Sequence, residues 1–222
     1  MGMVSNNILI ELEQVSFAYA PLRPVLRDLD FILEKGEHVS LLGANGSGKT
    51  TLFHLIMGLL MHYSGSLRVF GEERRVRKDF DEVRRRIGLL FQDSDDQLFS
   101  PTVAEDIAFG PFNLGKSRED VLWIVKETLA VLGLEGFEDR VTYKLSGGEK
   151  RLVALGTVLA MRPEVLLLDE PVIGLDEEHR NRFVNILKES NLSYIIISHD
   201  HDFLEEVTNK RYLLGGGRLQ GA

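Results

Sequence analysis

The 222-residue chain reads as an α/β protein: a mainly parallel sheet, an antiparallel sheet beside it and a helical insertion in the second half. Three observations carry that reading. Short apolar runs at Val39 to Leu42, Val165 to Leu168 and Tyr194 to Ile197 look like strands buried on both faces, as in parallel sheets. Helical stretches alternate with those runs, which is the βα rhythm. The start alternates instead, with Ile8, Ile10, Leu12, Val15 and Phe17 fitting strands that bury one face.

Element by element, Phe31 to Leu33, a Lys35-Gly36 turn and Val39 to Leu42 predict a hairpin. Lys49 to Leu60 predicts a helix and Ser66 to Phe70 a short strand. A charged segment, Val76 to Arg86, leads into the strand Ile87 to Phe91. Residues 93–141 carry helical patterning at Val103 to Phe109 and Glu119 to Leu132, with Pro and Gly between, and read as the insertion. Ser146 to Met161 predicts a helix, Glu177 to Glu189 another, and Arg211 to Leu214 a last strand. No internal repeat or long linker divides the chain, so residues 1–222 read as one domain.

Composition narrows the possibilities. Hydrophobic residues make up 44% and charged residues 27%, an ordinary globular balance. The longest apolar stretch, Leu52 to Tyr63, is interrupted by His54 and Gly58 and falls short of the roughly 20 residues a membrane span needs. There is no cysteine, hence no disulfide and no zinc–thiolate site. With no apolar signal segment after Met1 to Asn7, the expected compartment is the cytoplasm. The formal net charge of −8 argues against a nucleic-acid partner.

Gly43-Ala44-Asn45-Gly46-Ser47-Gly48-Lys49-Thr50 matches the phosphate-loop pattern G-x-x-x-x-G-K-[ST], between a strand and a helix as the chemistry requires. Its glycines let backbone N–H groups turn toward phosphate oxygens, and the helix N-terminus adds partial positive charge. Lys49 is expected to reach the β- and γ-phosphates of a nucleoside triphosphate, and the Thr50 hydroxyl to ligate Mg²⁺, with Thr51 next in line. Val165 to Leu168 ends in Asp169-Glu170, at the carboxyl end of a buried strand where open α/β sheets bind ligands. Asp169 is expected to hold Mg²⁺ and Glu170 to polarise the attacking water.

A phosphate loop alone leaves kinases, GTPases, helicases and transporter ATPases open. Leu145-Ser146-Gly147-Gly148-Glu149 resembles the LSGGQ signature of ATP-binding cassette (ABC) proteins, with Glu149 where Gln is usual. Ser146 and Glu149 also have the spacing of a capping box. The resemblance spans about Leu9 to Gly215. It implies that ATP is held between two chains packed head to tail, with Ser146, Gly147, Gly148 and Glu149 facing the γ-phosphate bound by the partner. It further implies a Mg²⁺-sensing role for Gln92, a γ-phosphate contact for His199, a dimer-crossing D-loop at Gly174-Leu175-Asp176, and adenine stacking on Tyr19. Val172-Ile173 departs from the Thr or Ser and small residue common before the D-loop.

The run Phe91 to Val103, with its Asp95-Asp96-Gln97-Leu98-Phe99 core, and Glu105-Asp106-Ile107-Ala108-Phe109-Gly110-Pro111 resemble the ATPases of cobalt importers (CbiO) and energy-coupling-factor (ECF) vitamin transporters. Those ATPases often continue into a C-terminal extension, whereas this chain stops soon after Arg211 to Leu214. The resemblance implies an importer ATPase at the cytoplasmic face of the membrane, with integral membrane partners docked near Gln92 and the insertion. A homodimer and a heterodimer with a related ATPase are both allowed. The alternative is a soluble ABC ATPase, for example in cluster assembly. Among other features, His199-Asp200-His201-Asp202 and the acids Asp93, Asp95 and Asp96 suggest cation sites but lack ligand spacing. The basic cluster from Arg74 to Arg86 reads first as a solvated face, then as a membrane or lipid contact.

Overall fold

In a computed structural model, described over residues 7–20 and 23–221, the alternating start forms β1 (Ile8–Ala20), paired antiparallel with β2 (Arg23–Glu34). The buried positions switch from even (Ile10, Leu12) to odd (Val15, Phe17) because the β1–β2 register shifts between Leu12 and Val15. Gln14 takes φ +51° there, a bulge that carries both halves of the strand onto one core. The other edge of β1 pairs with β4 (Ser64–Val69), which carries the two-residue β5 (Glu72–Glu73).

The second sheet has six strands in the order β10-β9-β3-β8-β7-β6. These are β3 (His38–Leu42), β6 (Ile87–Leu90), β7 (Val165–Asp169), β8 (Ser193–Ile197), β9 (Lys210–Gly215) and β10 (Arg218–Gly221). All pairs but β9–β10 are parallel. Side chains alternate between two cores, as a period of two demands. Leu166, Leu168, Tyr194 and Ile196 face α5 (Gly147–Leu159), α6 (Glu177–Glu189) and the insertion helices α3 (Val103–Asn113) and α4 (Arg118–Leu132). Val165, Leu167, Ile195 and Ile197 face α1 (Lys49–Ile56) and the antiparallel sheet. Each such side chain contributes roughly 1.5–3 kcal/mol through burial. Because β3, β6, β7 and β8 run parallel, the loops that follow them gather at one edge.

The expected hairpin is corrected. Phe31 to Leu33 stays with β1, while Val39 to Leu42 leaves for the second sheet, between β8 and β9. Val39, Ser40 and Leu41 are almost wholly buried, so β3 needs a strand on either side, and one hairpin partner cannot supply both. Lys35-Gly36 is therefore a crossing between sheets, and the Gly36 N–H donates to Ser193 Oγ on β8 at 2.8 Å. The helix expected to reach Leu60 stops at Ile56, because Gly58 turns left-handed (φ +64°) under the Phe80 ring. Two short helices, α2 (Phe80–Arg86) and α7 (His201–Val207), were not predicted; seven residues are too few for a clear period.

Candidate active site

The chain leaves β3 at Leu42 and loops into α1. At Gly43 (φ +147°) an added Cβ would lie 2.4 Å from the Leu214 carbonyl oxygen and 2.8 Å from Ser47 Oγ. At Gly48 (φ +109°) it would lie 2.9 Å from both Val25 and Leu26 side-chain carbons. The loop is thus a close-packed backbone ring at a helix N-terminus, suited to an anion. Lys49 Nζ crosses it, donating to the carbonyls of Gly43 (2.6 Å) and Ala44 (3.1 Å). Burial pushes the Lys49 ammonium below its ordinary value, against the pull of Glu170 and Asp169. Ser47 Oγ is buried without a hydrogen-bond partner among the described residues, which fits a polar ligand in the ring.

Thr50 Oγ1 donates to Asp169 Oδ2 at 2.7 Å, joining the loop to the end of β7. These hydroxyl and carboxylate oxygens fit a hard cation that keeps most of its ligands as water and phosphate, the habit of Mg²⁺. Glu170 follows in a left-handed conformation (φ +47°), a strain of about 1–2 kcal/mol for a residue with a Cβ. Its N–H donates to the Ile197 carbonyl at 2.8 Å, and its carboxylate accepts from the His199 N–H at 3.3 Å. The His199 ring stands between two loops, with Nε2 3.5 Å from Glu170 Oε1 and 3.0 Å from Asn45 Oδ1. The Tyr19 hydroxyl lies 3.1 Å from Thr51 Oγ1; the residue is 62% exposed at the rim, with its ring edge-on to Phe17.

A cavity of about 500 Å³ gathers these groups. Asn45, Gly46, Gly48, Lys49, Thr50 and Thr51 line one side; Gln92, Asp169, Glu170 and His199 line another, with Tyr19 at the mouth. Ser146 to Glu149 and Asp176 do not line it. Gly147 instead borders a neighbouring groove of about 930 Å³ that Thr50, Gln92 and Asp169 also reach.

Ser146 is the N-cap of α5, and the capping box is complete: the Glu149 N–H donates to Ser146 Oγ (3.2 Å) and the Ser146 N–H to Glu149 Oε2 (2.7 Å). Glu149 Oε1 accepts from Arg140 Nη1 at 3.1 Å. The Ser146 backbone and hydroxyl, then Arg140 and His179, hold the Glu149 carboxyl below its ordinary range. Asp176 caps α6, accepting from the His179 N–H at 2.9 Å, with the His179 ring Nδ1 2.7 Å away. That ring lies against Gly148, where an added Cβ would be 2.7 Å from His179 Cγ.

Three residues tie this region together: Arg151 escaped sequence reading, and Gln97 and Asp106 were read only as members of their runs, without these contacts. Arg151, 3% exposed, donates through all five N–H groups to carbonyl oxygens. Its acceptors are Phe91 and Gln92 at 2.5 and 3.1 Å, Asp169 and Glu170 at 2.7 and 2.9 Å, and Pro171 at 2.9 Å. Burial pushes its guanidinium down to about 10, opposed by Asp169, Asp93 and Glu170. Gln97 accepts from the Phe91 N–H (3.1 Å) and donates to Ala154 O and Thr157 Oγ1, both at 2.9 Å. Buried Asp106 accepts from the N–H groups of Phe99 and Ser100 and from the Thr142 hydroxyl. One signal for Arg151 was available: it sits four and seven residues before Leu155 and Val158, on the core stripe of α5.

The remaining charged runs are used locally. Arg74 is buried among the Val69 and Asp79 carbonyls, Glu72 and Glu82; Arg75, Arg84 and Arg86 also pair with acids. Asp200 caps α7, which begins at His201, so the His199 to Asp202 run diverges. No group of three or more His, Cys, Asp or Glu converges as a metal site among the described residues. No helix of the described residues is long and apolar enough to cross a membrane.

Comparison with known proteins places the chain. The ABC transporter family profile matches residues 26–173. A Nitratidesulfovibrio vulgaris chain, provisionally named as an ABC transporter ATP-binding protein, is 49% identical over 92% of this chain and 75% of its own length. The energy-coupling factor transporter ATP-binding protein EcfA of Methanothermobacter thermautotrophicus is 41% identical over 95% of this chain and 69% of its own. Among solved structures, CbiO of Clostridium perfringens, described as part of the ABC transporter complex CbiONQ, superposes with a TM-score of 0.87 at 32% identity, over 96% of this chain and 87% of that one. With this cavity, this topology and these relatives, the chain belongs to the ABC transporter family, as one of its ATP-binding, ATP-hydrolysing chains.

Proposed function

We propose that the chain is the ATPase subunit of an importer of the ECF or cobalt–nickel type, acting as one domain over residues 1–222 with its insertion at 93–141. The observation that carries the chemistry is the meeting of Lys49, Thr50, Asp169, Glu170 and His199 in one cavity from three separate segments, those that follow β3, β7 and β8. Likeness to EcfA and to CbiO of the CbiONQ complex supports the importer type. The resemblance of the Asp95-to-Phe99 run to those ATPases adds support; in the fold Asp95 pairs with Lys150 and Gln97 bonds to Ala154 and Thr157 on α5.

In this reading the ring Gly43 to Gly48 binds the phosphates through backbone N–H groups, and Tyr19 stacks on adenine. Lys49 exchanges its two carbonyls for β- and γ-phosphate oxygens. Thr50, Asp169 and Gln92 would hold Mg²⁺, which would neutralise charge on the phosphates. Glu170, aimed by its contacts with His199, accepts a proton from the attacking water, and His199 holds the γ-phosphate. Ser146 to Glu149 and Asp176 serve the cavity of a second ATPase chain, identical or related. The membrane subunits dock at the groove bordered by Gln92 and the insertion, at the cytoplasmic face.

Glu170→Gln tests this reading. Hydrolysis should fall about 100-fold or more with ATP binding kept; unchanged turnover would sink the base assignment. The same variant, used with ATP and Mg²⁺ to capture partners from solubilised native membranes, should bring down a multi-span membrane protein in stoichiometric amount. Only soluble partners would move the protein to the soluble ABC machines.

A further inference from the structure

Arg151 spends its charge on carbonyls alone. Three belong to consecutive residues, Asp169, Glu170 and Pro171, and two to Phe91 and Gln92. Those two turns carry Asp169, Glu170 and Gln92 into the cavity. Within the first, Glu170 holds its left-handed φ of +47°. With peptide units planar, fixing the carbonyls on both sides of Glu170 leaves its backbone little freedom to relax. The Glu170 carboxylate then stays against His199. A guanidinium suits this task because it has five N–H donors in one plane; a lysine has three at one point.

We propose that Arg151 is a positioning residue of ATP hydrolysis: its guanidinium locks the Asp169-Glu170-Pro171 turn and so aims the Glu170 carboxylate. The proposal rests on Glu170 acting as the base. Because Arg151 stands five residues after Ser146 on α5, it also makes the aim of Glu170 depend on where that helix lies. The buried, fully bonded guanidinium is the independent physical sign of a constraint, since an unsatisfied charge could not be kept there.

The test uses the full chain with Arg151→Lys, alone and combined with Glu170→Gln. Melting, binding of a fluorescent ATP analogue, and single-turnover hydrolysis of radiolabelled ATP are measured on each. Arg151→Lys should slow hydrolysis about 10- to 100-fold, with nucleotide affinity changed by less than about two-fold. In the Glu170→Gln background it should change the residual rate by less than about two-fold, because the group it aims is already gone. Hydrolysis within about two-fold of wild type would overturn the proposal. So would an equal slowing in both backgrounds, which would make the effect a general loosening. Glu170→Gln turning over at the wild-type rate would instead overturn the base assignment. Arg151→Gln is the second variant, read the same way; if neither variant folds, Arg151 is a fold determinant and the proposal is wrong.

Discussion

The Gly43–Gly48 ring and the Ser146 turn both open helices, yet they are held in opposite ways. At the ring, residues distant in sequence bond to one another: Thr50 with Asp169, His199 with Asn45 and Glu170. At Ser146 the bonds are local, the i to i+3 exchange with Glu149, and the outward ties run to Arg140 and to α6. No hydrogen bond joins Ser146–Glu149 to Gly43–Thr51 among the described residues. The first end is a nearly finished site whose groups restrain each other. The second is a stiff, capped end without a reacting group of its own, the form expected of a piece offered to another chain's site.

Lys49→Ala breaks the comparison at its stronger end and has the largest expected effect. The ammonium is the cation that spans the ring, and removing such a group costs about 100- to 1000-fold in turnover. ATP affinity should fall as well, while the fold persists, because only two carbonyl contacts are lost and both carbonyls can turn to water. Near-wild-type binding and hydrolysis would show that the ring does not hold phosphate.

The same contrast explains what was legible in the sequence. The shape of the ring could be read because it is set by backbone, and Gly43 and Gly48 are forced where a Cβ would strike Leu214 or Val25. The placing of Asp169 and Glu170 in the cavity was legible because they follow a buried apolar strand at its carboxyl end, where open α/β sheets gather their loops. Arg151 was not, because its partners are carbonyls, which every residue carries, so no spacing announces them. The false hairpin has a similar cause. Lys35-Gly36 looks like a tight turn, and only the burial of Val39, Ser40 and Leu41 reveals that their strand needs two neighbours.

Gly148→Ala probes the weaker end. Its methyl group would meet the His179 ring at 2.7 Å, so the helix start or the ring must shift. Overpacking of this kind costs about 1–3 kcal/mol, or roughly 3–10 °C in melting temperature for a chain of this size. Hydrolysis should fall together with ATP-driven association of two chains, and binding of ATP to a single chain should not change. Adding His179→Ala removes the obstruction and should restore melting. A Gly148→Ala chain that melts and hydrolyses normally would mean that the His179 contact places no constraint on this end.

Acid should loosen the fold in two steps, the smallest of these effects. Burial holds His54, on α1, and His38, at the start of β3, below their ordinary 6.5, with Asp169 opposing at His54 and the Leu192 carbonyl at His38. As pH drops below about 6.5 the unfolded chain therefore takes up protons that the folded chain refuses, and stability falls. Glu149 has the opposite position on the scale. Its carboxyl lies below the ordinary 4.5, so its contribution is complete above that pH and is lost only as pH falls through the lower folded value. Melting temperature should thus decline in two limbs. His38→Gln with His54→Gln should flatten the first limb, between pH 7 and about 5, and leave the second. Glu149→Gln should lessen only the second, below about pH 4.5, and not abolish it, because Asp79, Glu82, Asp176 and Glu206 are also held below their ordinary values. If Glu149→Gln altered the upper limb, the start of α5 would be electrostatically coupled to His54 on α1, and the division between a self-restrained Gly43–Gly48 ring and a locally capped helix start would fail.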